Sequence, residues 1–86
     1  MELIIDARYH FYFNTIGRSY ECDGVVTGIE SYNEACDEEV AWFMPGDGFD
    51  IPNDWNKNLV GTSFACAARY LTLIESTMNV DVQALL

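Results

Sequence analysis

Residues 27–44 read TGIESYNEACDEEVAWFM, and the reading of this stretch decides the fold. Two capping boxes open it, Thr27-x-x-Glu30 and Ser31-x-x-Glu34. In such a box a hydroxyl and a glutamate three residues on satisfy backbone N–H groups that a helix start leaves unpaired. Pro45-Gly46 follows its end, where proline cannot continue a helix. At helical spacing Tyr32, Ala35, Cys36, Val40 and Phe43 share one face. Glu34, Asp37 and Glu38 share the other, with Glu30 if the helix begins early. The pattern predicts a helix ending at Met44. Glu39 interrupts it, projecting into the apolar face; it calls for a rotated helix, an exposed end, or a basic partner such as Arg8 or Arg69.

Upstream the period is two. Leu3, Ile5, Ala7, Tyr9, Phe11 and Phe13 alternate with Glu2, Asp6, Arg8, His10, Tyr12 and Asn14, and Ile4 is the exception. Alternation over this length predicts a half-buried strand, bent or bulged near Asp6-Ala7. Asn14-Thr15-Ile16-Gly17 reads as a turn. A second strand over 18–22 points Tyr20 and Cys22 inward, Asp23-Gly24 signals a hairpin, and 25–27 completes a three-stranded meander.

Downstream, PGDGFDIPNDWNKN (45–58) is dense in turn formers and reads as a loop with a short helical turn at 53–57. A second helix is expected from about Ser63 to Thr77, lined by Phe64, Ala67, Ala68, Leu71, Ile74 and Met78. Asn79 closes it, and Asp81 caps a short final helix ending in Leu85-Leu86. The expected architecture is α+β: a small antiparallel meander of about three strands packed by two helices, as a single compact domain over 1–86.

Charge is distributed unevenly. Between Arg18 and Lys57 stand ten carboxylates and no base, and the rest of the chain is balanced, so the net charge of −10 belongs to this interval. Half the residues are hydrophobic and 14% are aromatic, too apolar for a disordered acidic tail. A folded core is therefore expected, weakened by self-repulsion that salt screens. The first residues lack a basic region and a long apolar run, so no signal peptide is read, and no stretch approaches a membrane span. Cys22, Cys36 and Cys66 are odd in number and form no CxxC, which fits apolar fillers in a reduced cytoplasm.

Enzymatic chemistry has little to stand on. Gly61-Thr62-Ser63-Phe64-Ala65 looks like the sequence around the nucleophile of subtilisin-like proteases. That chemistry needs a base and an orienting acid beside the serine. The one histidine, His10, falls on the outer side of the first strand, so Thr62 or Ser63 reads instead as a helix cap. Asp47, Asp50, Asn53 and Asp54 could offer oxygen ligands to Ca²⁺, but the alternating spacing and closing glutamate of an EF-hand are missing. A solvated acidic loop is the plainer reading. A zinc site would need isolated cysteines and His10 to meet by accident of the fold. Paired carboxylates for acid–base work occur in any acidic protein and single out nothing. No enzyme activity and no cofactor are expected.

The plain reading of the acidic interval is solubility, and the functional reading is a partner. Duplex DNA is a dense row of negative charge, and its binding proteins answer with Lys and Arg clefts. A helix bearing Glu30, Glu34, Asp37 and Glu38, extended by Asp47, Asp50 and Asp54 on the adjoining loop, would present such a row to a basic cleft. Trp42, Phe49 and Trp55 lie inside or beside the acids. Aromatics so placed commonly anchor protein interfaces, the role expected of Trp55 beside Asp54, and the alternative reading of all three is packing under the loop.

In size, charge and the absence of catalytic motifs the chain resembles the small acidic inhibitors of bacteriophages, in particular anti-CRISPR proteins, several of which are DNA mimics. The resemblance is one of type, carried by the acidic interval 21–54 and densest at Glu34, Asp37, Glu38 and Glu39. It implies binding, as a monomer in the cytoplasm of an infected host, to a CRISPR effector complex, with a multi-subunit type I complex favoured, and blockage of its DNA site. The alternatives are an antitoxin or immunity-type protein covering a basic partner, a Ca²⁺-dependent module, and a structural phage component.

Overall fold

The computed structural model describes residues 2–52, 55, 57 and 63–75. Five antiparallel strands make one sheet: β1 (Arg8–Thr15), β2 (Arg18–Asn33), β3 (Glu38–Pro45), β4 (Phe64–Ala67) and β5 (Leu71–Glu75). Their spatial order is β4-β3-β2-β1-β5. A 3-10 turn, Ala68–Tyr70, links β4 to β5. This corrects the α+β expectation, because the described residues are all-β and contain no α-helix. None of those residues forms a helix long and apolar enough to cross a membrane.

The first expected helix is the end of β2, a turn and β3. Its helical period has a specific origin. The β2–β3 register shifts twice, between Val26 and Gly28 and between Ile29 and Ser31, so Thr27 and Glu30 are extra residues opposite a shorter partner. Each such bulge offsets the alternation of faces by one. Val26, Ile29 and Tyr32 therefore stand opposite Phe43, Ala41 and Glu39 on one face, at a spacing of three. A bulged strand has imitated a helix. The apparent misfit Glu39 belongs to the inward set of β3, where its Oε1 accepts the Leu3 N–H at 2.7 Å.

Asp23-Gly24 is not a hairpin. Both residues lie within β2, with Gly24 opposite Tyr9 on one side and Pro45 on the other. A Cβ at Gly24 would run into the Met44 carbonyl oxygen and sit 2.6 Å from Phe43 Cζ, so glycine is required there by close approach. The turn that exists is Ile16-Gly17, between the Thr15–Arg18 pair, and Gly17 (φ 86°) takes its left-handed position.

The second expected helix is β4, the 3-10 turn and β5. Phe64, Cys66 and Ala68 are buried alternately along it. Ala65 and Ala67 face Trp42 and Val40 of β3, and small residues beside a large ring suit a sheet surface as well as a helix packing face. The expected residues Met78, Asn79, Asp81, Leu85 and Leu86, and the helical turn at 53–57 apart from Trp55 and Lys57, lie outside the described residues.

One face of the sheet carries the core. Phe11, Phe43 and Phe64 are fully buried, each contributing about 1.5–3 kcal/mol of hydrophobic stabilisation. Phe11 is central, with ring centroids of Phe43, Phe49, Trp55, Phe64 and Tyr70 between 5.3 and 6.5 Å away. The loop after β3 lies over this face through Phe49, Ile51 and Trp55. Leu3 and Ala7 add the N-terminal segment to it.

Candidate functional site

The acids fall into two groups. The first is at the β2–β3 tip. A four-residue turn, 34–37, joins the Asn33–Glu38 pair, with Asn33 Oδ1 accepting the Ala35 N–H at 3.1 Å and Asp37 in the left-handed region (φ 53°). Asp tolerates that conformation better than most residues. Glu30 sits at a bulge, Glu34 and Asp37 in the turn, and all three are exposed. Asp37 accepts a hydrogen bond from the Tyr32 hydroxyl. Beside them a cavity of about 320 Å³ is lined by Glu2, Tyr32, Asp37 and Glu39. No described cation pairs with Glu30, Glu34, Asp37 or Glu39.

Glu38 differs from its neighbours. Its Oε2 lies 2.6 Å from Arg69 Nη2 and accepts the Nε–H at 2.9 Å, while Oε1 accepts the Arg69 backbone N–H at 3.1 Å. Its side chain is 12% exposed. Hydrogen bonding from Arg69 holds its carboxyl below the ordinary range, and the same pairing raises the guanidinium. Glu38 fastens the 3-10 turn to β3, a structural role that the helix reading could not suggest.

The second group lies along the first half of β2 and on the loop after β3. Glu21 and Asp23 flank His10: Nε2 is 2.9 Å from Glu21 Oε2 and Nδ1 is 2.7 Å from Asp23 Oδ1. Carboxylates only accept hydrogen bonds, so both contacts are made when both ring nitrogens carry protons. The bond to Asp23, then that to Glu21, raises the His10 pKa. Arg8 also approaches Asp23, Nη2 to Oδ2 at 3.9 Å. Asp47 and Asp50 are exposed on the loop. Asp50 stands 4.0 Å from Arg18, whose guanidinium is 4.5 Å from the centre of the Tyr20 ring. The two bases that bracket the acidic interval meet here: Arg18 and Lys57 line one cavity of about 430 Å³ with Asp50.

The sequence-derived site is therefore divided. Glu30, Glu34 and Asp37 come together at the tip, and Glu38 joins them while engaged with Arg69. Asp47 and Asp50 belong to the other group; Glu21 and Glu34 are separated by about 40 Å of strand. Asp54 lies outside the described residues. Trp55 is partly buried, with its ring 5.0 Å from Phe13, 5.2 Å from Phe64 and 5.3 Å from Phe11, so it holds the loop to the core. The helical row of carboxylates is not present. Sequence reading passed over Tyr32 and Glu2 as members of the tip and met Glu39 as a misfit of the helix within the densest part of the acidic interval; Tyr32 stands opposite Glu39 because two bulges set its register.

Among the described residues no cluster of His, Cys, Asp or Glu could hold a metal ion. Ser63 is buried immediately before β4, while His10 is held by two carboxylates in the β1–β2 ladder. No family model, curated protein or solved structure matches the chain.

Proposed function

We propose that this protein is a non-enzymatic inhibitor that occupies the basic cleft of a nucleic-acid-binding protein in place of DNA. The observation that supports it is the charge imbalance: ten carboxylates without a base between Arg18 and Lys57, of which Glu30, Glu34, Asp37 and Glu39 at the β2–β3 tip pair with no described cation. Arg8, His10 and Arg18 partly offset the second group, which makes the tip the stronger end. Unpaired carboxylates on a stiff ribbon attract a cationic cleft at long range and exchange charge-assisted hydrogen bonds with its arginines on contact. The process requires no bond making. The resemblance to phage inhibitors makes a CRISPR effector, type I first, the partner to test, in the cytoplasm of an infected host.

The experiment is competition. The protein should displace labelled duplex DNA from a purified effector, and its affinity should fall steeply between low and physiological salt. Charge reversal at Glu30, Glu34 and Asp37 together should abolish displacement while thermal unfolding stays cooperative. Glu38 is left unchanged because its loss would perturb the fold. Full inhibition by that variant would refute the reading.

A further inference from the structure

We propose that the edge of β2 at the tip, Gly28 to Asn33, is a docking site for an extended basic segment of the partner, which joins the sheet as a further strand. This deepens the reading above and rests on it. The β1–β2 ladder ends at the Arg8–Val25 pair. One more pair of bonds follows, Asp6 N–H to Val26 O at 2.7 Å and Val26 N–H to Ala7 O at 3.2 Å. The chain then turns away. Asp6 is left-handed (φ 71°), the Ala7 N–H approaches Ile4 O at 3.4 Å, and Leu3 enters the core with its N–H on Glu39. Among the described residues, 28–33 therefore pair with β3 alone.

Such an edge is a template for another strand. Its surroundings restrict which one. Ile29 and Tyr32, on the edge itself, are 36% and 52% exposed, and Ile4 and Ile5, in the segment that leaves β2 at Asp6, are 42% and 51% exposed. Glu2, Asp37 and Glu39 line a cavity with Tyr32, and exposed Glu30 and Glu34 lie along the edge and just beyond it. A second copy would bring the same carboxylates face to face, and like charges oppose that pairing. A strand alternating basic and apolar residues meets attraction at the rim and apolar contact beside the edge. The acids thus exclude self-pairing and admit the opposite charge.

The test uses an alternating arginine–valine peptide and a twin N-methylated at every amide. The charge is identical, but the twin cannot donate backbone hydrogen bonds along either edge. At physiological salt the parent should bind at least about tenfold tighter, the worth of two lost hydrogen bonds. Amide exchange within 28–33 should slow in its complex. Binding by the twin within about twofold of the parent would overturn strand addition while leaving charge mimicry standing. Slowed exchange confined to β4 or β5 would overturn it too, as would full protection of 28–33 in the free protein. Failure to displace DNA from the effector, in contrast, counts against the charge reading itself.

Discussion

Gly24→Ala tests the register of the sheet directly. The new methyl would press on the Met44 carbonyl oxygen and stand 2.6 Å from Phe43 Cζ, and Phe43 is fully buried. Neither neighbour is a flexible side-chain end, so β2 and β3 must separate locally. Overpacking of this kind costs about 1–3 kcal/mol. Removing glycine's excess freedom in the unfolded chain returns about 0.5–1 kcal/mol. The net loss should lie between about 0 and 2.5 kcal/mol, and its midpoint of about 1.3 kcal/mol corresponds to about 5–10 °C in Tm for a domain of this size. Gly28→Ala is the control, because a Cβ there meets nothing nearer than Trp42 Cδ1 at 3.9 Å; it should be neutral or slightly stabilising. Gly24→Asn separates the two readings of Asp23-Gly24. A hairpin turn tolerates asparagine, whereas close approach makes the larger side chain worse than alanine. Thermal and urea unfolding followed by circular dichroism supply the numbers. Equal stability of the two alanine variants, or an asparagine variant more stable than Gly24→Ala, would refute the register and the reasoning.

Further outcomes follow from the charged groups and thiols. Glu38→Gln should lower Tm by a few degrees at neutral pH. Because the folded pKa of Glu38 is depressed, its contribution is present above its unfolded value near 4.5 and lost as pH falls through the folded pKa; the gap between wild type and variant should close in acid. His10 has the opposite sign: its raised pKa stabilises the fold fully below 6.5, and the gain disappears as pH rises through the folded value. His10→Gln should remove that part of the pH dependence, and NMR titration of the ring should show the elevated midpoint. A thiol reagent should modify exposed Cys36 first in the native protein. Cys22, pushed up to about 11 by burial, should follow slowly, and Cys66, buried and raised further, should react only on unfolding. Equal rates for all three would contradict this placement.

The first strand was legible because a strand with one buried face writes that face into every second residue. Tyr9, Phe11 and Phe13 did so, and Ile16-Gly17 marked the turn after them. The second half of the chain was not legible, because its period is set by pairing with distant residues. Ile29 and Tyr32 stand three apart since β3 forces a bulge at Glu30, and nothing local to 27–33 requires it. Ala65 and Ala67 favour a helix in isolation and become strand because Trp42 and Val40 lie across from them. The candidate site follows the same division. Glu30, Glu34, Asp37 and Glu39 could be named from charge alone, whereas Tyr32 and Glu2 joined them through the turn at Asp6 and the two bulges.

Taken alone, the sequence determined the sign and location of the charge, a core dominated by aromatic rings, and cysteines without a framework. These are sums over residue types and do not depend on how the chain folds. Tertiary structure decided that the acids form two groups, that Glu38 is tied to Arg69, that Trp55 supports the core, and that one edge of β2 is left open among the described residues. Each of these depends on which strand meets which, and long-range hydrogen-bonded register is a property of pairs that no single segment carries.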